Sequence, residues 1–123
     1  MLRENLFEAL RMAGFKADVI QDFDNLNCYL MPSFSFPCGR DRKRGNTHPN
    51  REMVEHSARE HLRKAVDYVD PTNIVLLGER ATWAGRAFRR PCYITNWPTT
   101  RHKNYRSWWE DYLVPTLKVA LGK

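Results

Sequence analysis

Residues 92–109, "CYITNWPTTRHKNYRSWW", gather many groups capable of chemistry into one short stretch. An apolar, strand-like start breaks at Asn96-Trp97-Pro98 into hydroxyls (Thr99, Thr100), cations (Arg101, Lys103) and two adjacent tryptophans, Trp108 and Trp109. Basic side chains hold phosphates, hydroxyls and backbone N–H groups position them, and an indole offers a face on which a base can stack. Such a mixture beside a strand end is the chemistry of a loop that faces nucleic acid. A second group of phosphate ligands stands in "PCGRDRKRGNTHPN", where Arg40, Arg42, Lys43 and Arg44 are set against Asp41.

The whole chain is biased the same way. Its net charge of +6 and pI near 9.5 attract phosphate-rich partners, DNA foremost among them. With 42 % hydrophobic and 28 % charged residues the composition is that of a globular protein, despite a mean hydropathy of -0.64. At 123 residues the expectation is a single domain, 1–123. Three cysteines, Cys28, Cys38 and Cys92, make an odd count without Cys-x-x-Cys spacing, and the amphipathic start "MLRENLFEAL" has no signal-peptide core, which leads us to expect a reduced, intracellular protein. No apolar run approaches the roughly 18 residues of a membrane span.

Other chemistries find little footing. His56, Glu60 and His61 share a helix, but their spacing is not that of a His-Glu-x-x-His zinc site, so neither a metal nor another cofactor is expected. Glycine-rich phosphate loops are absent, and no glycine pattern frames a serine nucleophile.

The elements that must position these groups can be read from spacing. Leu2, Leu6, Leu10 and Ala13 recur at helical intervals and stop at Gly14. "LNCYLM", about Leu26 to Met31, is expected to form a strand halted by Pro32. A long helix is expected from about Pro49 to Tyr68, capped by Thr47, with Val54, Ala58, Leu62, Ala65 and Val69 on its buried face. "NIVLLG", residues 73–78, is a continuous apolar run ending at glycine, the pattern of a strand covered on both faces. "ERATWAGRAF" then predicts a short helix, "PCYITN" another strand, and "YRSWWEDYLVPTLKVAL" a last helix that Pro115 could kink. Strands alternating with helices imply an α/β protein, a three-layer α/β/α architecture around a short, mostly parallel sheet. The loops "MPSFSF", "GERATW" and "NWPTTRH" would then meet at the C-terminal edge of the strands.

The run "LNCYLMP", followed by "THPNREMVEHSAREHLRKAVDYVDPTNIVLLGERA" and "YITNWPTT", resembles the order of blocks in the uracil-DNA glycosylase superfamily, closest to its iron–sulfur-containing branch, over about residues 2 to 100. "YLMPSFSF" is also similar to the Met-Pro-Ser-Ser-Ser loop of the mismatch-specific branch, although there the loop comes after the glycine-ended strand and here it precedes it. The resemblance implies a glycosylase-like, Rossmann-like sheet. It also implies that Asn27 hydrogen-bonds a flipped pyrimidine, an amide being both donor and acceptor on the Watson–Crick edge. Thr95 to Thr99 would be the loop entering the minor groove, placing Trp97, Pro98 and Thr99 at the base, and Thr100, Arg101 and Lys103 would hold phosphates beside it.

The departures from the family pattern are specific. Its catalytic His falls on Trp97, its Gly-Asp/Glu-x-Pro-Gly block is missing along with the aromatic that stacks on the base, and its cluster ligands fall near Met31 and Ser57, neither a cysteine. The first expectation is therefore a glycosylase-like DNA-binding protein of repair or replication, catalytically impaired or dependent on a partner. The alternative is an active minimal glycosylase in which Asn27 reads uracil or a modified base and Asn96 helps to hold water; a lesser one is a nucleotide or small-ligand binder. In either glycosylase form, a homodimer or a partner protein would cover the open edge of the sheet.

Overall fold

The computed structural model describes residues 2–34, 40–41, 45–46 and 49–122, the two short middle stretches by backbone alone. Helix α1, Leu2–Met12, buries Leu6, Phe7, Ala9 and Leu10 and ends as its spacing predicts, with Gly14 in the left-handed region at φ 93°. Helix α2, Ile20–Asn25, was not foreseen. Its N-cap is Val19, which has no capping side chain; the carboxylate of Asp22 takes that role, accepting the backbone N–H groups of Asp18 at 2.8 Å and Val19 at 3.1 Å. An acid three residues into a helix reaching back to the cap N–H is half of a capping box.

Asp22 is 4 % exposed, and those two N–H donors, with Lys16 at 4.0 Å, hold its carboxyl below the ordinary aspartate range, the Asp18 hydrogen bond contributing most. Because its folded pKa is depressed, its contribution to stability is present above the unfolded pKa and lost as pH falls through the folded one. Thermal melting measured across the acid range should therefore show a steeper loss of stability for the wild type than for Asp22→Asn, which starts lower at neutral pH. Parallel curves would exclude this role.

The strand expected over Leu26–Met31 is not formed. Helix α2 closes instead in a Schellman motif: Asn27 turns to φ 55°, its N–H bonds Asp24 O at 2.9 Å, and Cys28 N–H bonds Phe23 O at 3.2 Å. Leu26 packs against the core, but Tyr29 and Leu30 are 74 % and 52 % exposed. Apolar content suits a strand only where a neighbour pairs with it, and no ladder forms here.

Strands β1 (Arg40–Asp41) and β2 (Gly45–Asn46) form a small antiparallel pair. Asn50, not Thr47, caps the next helix, its side chain accepting Met53 N–H at 2.9 Å; Thr47 lies outside the described residues, and Pro49 precedes the first turn. The helix runs through α3 (Arg51–Ser57), a π-helical turn (Ala58–Leu62) and α4 (Arg63–Val69). The wide turn rotates α4 about the helix axis, so Val66 is buried where regular spacing pointed to Ala65. Asp70, at φ 50°, ends the helix before Pro71.

Strand β3 (Val75–Leu77), helix α5 (Glu79–Gly85) and strand β4 (Tyr93–Thr95) form a βαβ unit, β3 and β4 pairing parallel with Leu76 opposite Ile94. Helix α5 lies very close to β3: a Cβ on Gly85 would stand 2.3 Å from Leu76 Cδ1. The chain finishes with α6 (Tyr105–Trp108), a π-helical turn (Trp109–Leu113) and α7 (Val114–Ala120). Pro115 sits in the first turn of α7, so the wide turn just before it accommodates a ring that a regular helix interior would not.

Two hydrophobic clusters flank β3. Leu76 belongs to the one built from Val54, Ala58, Val66, Ala84 and Phe88. Leu77 packs against the other, built from α1, Trp109, Leu113 and Leu117, as alternation along a strand requires. The fold is thus mixed, mainly helical, with one short parallel pair between helices. Among the described residues no helix is long and apolar enough to cross a membrane.

Candidate nucleic-acid interface

At the C-terminal end of the parallel pair, Gly78 and the segment after β4 meet. Gly78 N–H bonds Thr95 O at 2.9 Å. With φ 88° and ψ −180°, Gly78 occupies a region open essentially to glycine alone, and a Cβ there would stand 3.4 Å from Trp97 Cβ and 3.6 Å from Trp97 Cε3. Glycine therefore ends β3 and also makes the floor on which Trp97 rests. Of the three loops expected at this edge these two do come together. The third is not carried there by a strand; Phe34 packs instead against the cluster around α3 and α5.

The loop is braced from several sides. Pro98 is fully buried, and its carbonyl accepts Asn5 Nδ2 from α1 at 2.9 Å. The Trp97 carbonyl accepts Thr99 N–H at 2.8 Å and Asn96 Nδ2 at 3.3 Å, while Asn96 Oδ1 accepts the Thr95 hydroxyl at 3.2 Å. Thr99 Oγ1 takes Arg101 N–H at 3.1 Å. A fixed backbone thus presents Trp97 with 48 % of its surface open. Asn96 thus bonds within its own loop at both ends of its amide, each end keeping one further N–H or lone pair.

Cations and aromatic rings continue outward from Trp97. Arg101 and Lys103 are exposed, and no ion pair involves either among the described residues. The His102 ring stacks on Trp108 at 4.1 Å and 21° and accepts Asn104 N–H on Nδ1 at 3.1 Å. Arg106 lies 5.8 Å from the Tyr105 ring centre and donates from Nε to its hydroxyl at 3.2 Å. Cations and aromatic rings thus alternate along 97–108, the residue types by which single strands are held without reading sequence.

Asn27 is exposed in the closing turn of α2, and no hydrogen bond among the described residues joins it to the 96–103 loop. Its place there is conformational, since Asn tolerates the left-handed backbone better than most residues. Thr100 is exposed beside Arg101. Arg40 lies on β1, described by backbone only; Arg42, Lys43, Arg44 and Cys38 lie outside the described residues. Burial pushes the thiols of Cys28 and Cys92 up, which disfavours the nucleophilic thiolate. No group of three metal-binding side chains gathers among the described residues. The Asn5 brace and the Gly78 floor escape sequence reasoning, because each depends on a partner distant in the chain.

Comparison with protein-family models, curated proteins and solved structures gives no match to this chain.

Proposed function

We propose that this chain is a DNA-binding protein built on a uracil-DNA-glycosylase-like plan, which grips single-stranded or distorted DNA through the 96–106 surface and lacks base-excision chemistry of its own. The observation that carries the reading is Trp97: a half-exposed indole on a braced loop, beside Arg101 and Lys103, which have no ion pair among the described residues. An indole N–H at the position where the glycosylases that the sequence resembles have a catalytic histidine cannot shuttle a proton, and Asn96 is engaged within its loop. The opposed packing of Leu76 and Leu77 supports the proposal that β3 is the middle layer of a three-layer sheet. Among the described residues β4 pairs with no strand but β3, and that unpaired edge supports a partner chain or a second copy completing the sheet.

The test has two parts. Incubated with a uracil-containing oligonucleotide, the protein should bind but leave no free base and no alkali-labile site; release of base would overturn the non-catalytic reading. Replacing Arg101 and Lys103 together by Ala should lower the log–log salt slope of binding by about 1.4–1.8, from roughly 0.7–0.9 per lost phosphate contact. An unchanged slope would remove this loop from the interface.

A further inference from the structure

The opposite end of the same two strands carries a second basic feature, away from the 96–106 surface. A shallow, largely open hollow of about 340 Å³ is lined by Arg63, Asp67, Phe88, Arg89 and Arg90. A neighbouring cavity of about 420 Å³ shares Arg90 and continues along Pro71, Ile74, Pro91 and Tyr93, the residues that lead into β3 and β4. The three guanidinium groups are not equivalent. Arg90 is committed to the protein: Nη1 reaches Asp70 Oδ1 at 2.9 Å and the Pro71 carbonyl at 3.5 Å, and Nε faces Asp67 Oδ1 at 3.6 Å. Both nearby carboxylates are thereby paired. Arg63 and Arg89 line the same cavity with no ion pair among the described residues.

Arg89 is also held at φ 55°, a backbone state that side chains other than Gly and Asn enter at a cost. It lies between buried Phe88 and the Arg90-Pro91 pair and puts a cation on the wall of the hollow. Arginine forks match the oxygens of a phosphate in pairs. The adjoining hollow offers Ile74, Pro91 and Tyr93, a residue 37 % exposed, groups suited to a planar base. From a charged pocket joined to a flat-walled one, we infer that this end of the sheet binds a nucleotide unit, its phosphate on Arg63 and Arg89 and its base against Tyr93. The site is separate from the Trp97 surface and does not depend on that reading.

The experiment compares the wild-type chain with Arg63→Ala, Arg63→Ala/Arg89→Gly and Tyr93→Ala, titrating thymidine 5′-monophosphate and a short single-stranded oligonucleotide. Glycine at position 89 relieves the backbone state while deleting the charge, so the double variant should melt no lower than Arg63→Ala alone. Its affinity should fall at least about tenfold, the effect of losing charge-assisted contacts to one phosphate. A loss seen with the mononucleotide identifies a free nucleotide as occupant, and a loss confined to the oligonucleotide identifies a unit within a strand; either supports the site. Tyr93→Ala should weaken whichever ligand binds. The inference falls if the double variant binds both ligands as the wild type does, or if the wild type saturates with neither.

Discussion

Trp97→Ala is expected to weaken binding of single-stranded or distorted DNA by about 5- to 150-fold, the loss of one base stacked on an indole being worth about 1–3 kcal/mol. The cost to folding should be far smaller than for a core tryptophan. With 48 % of its surface open and the Gly78 backbone as its floor, the side chain gives up only part of its contacts on truncation, about 1–2 kcal/mol against about 3–5 kcal/mol for a buried indole. The loop itself stays braced, because the Asn5 contact to the Pro98 carbonyl and the Thr99 N–H contact to the Trp97 carbonyl use backbone atoms that the substitution keeps. Affinity and melting temperature measured on the same sample decide the matter. An unchanged affinity would remove the indole from the interface, and a melting loss as large as that of a core tryptophan would make any binding defect a consequence of unfolding. Oligonucleotide quenching of tryptophan fluorescence in the wild type, absent from the variant, would place the base on this ring.

Local pattern decides which elements were legible in the sequence. The apolar run ending at Gly78 announces β3, and the helical spacing from Leu2 to Ala13 announces α1, because in both cases the burial pattern and the terminator sit within a few residues of each other. The Leu26–Met31 strand failed for the complementary reason. A strand is stabilised by a partner that its own sequence does not contain, whereas the turn at Asn27 is stabilised by carbonyls of the helix just before it, and the local interaction prevails. Helix α2 stayed hidden because its start is set by the Asp22 carboxylate acting backward on Asp18 and Val19, with none of the usual capping residues at Val19. The candidate interface was half readable. Residue types marked the 96–103 loop, but what makes Trp97 a presented surface is a contact between Asn5 and Pro98, 93 positions apart, together with the backbone of Gly78. The π-helical turns left no mark on the pattern other than a shift in which residues are buried.

The adjacent tryptophans of the last helix carry opposite expectations, since neighbouring residues on a helix point about 100° apart. Trp108 is partly exposed and stacks on His102, whereas Trp109 is 3 % exposed in the cluster with Leu6, Leu10, Leu113 and Leu117. Trp109 meets Tyr105 edge-on at 5.8 Å and 74°. Trp109→Ala should therefore cost about 3–5 kcal/mol of folding stability, the transfer and cavity cost of a buried indole, a large share of the roughly 5–15 kcal/mol that holds a typical domain. The indole carries a liability as well: Trp109 Nε1 is buried with no hydrogen-bond partner among the described residues, and an unsatisfied buried donor costs about 1–3 kcal/mol. Trp109→Phe removes that donor along with some volume, so its loss should be well below that of alanine, the gain from deleting the N–H offsetting part of the cavity. Urea unfolding of the three proteins, compared at equal slope, measures both differences. A phenylalanine variant as unstable as the alanine variant would mean that the N–H finds a partner in solution. The phenylalanine variant should also bind DNA as the wild type does, since Trp109 builds the core beneath the interface and Trp97 builds its face.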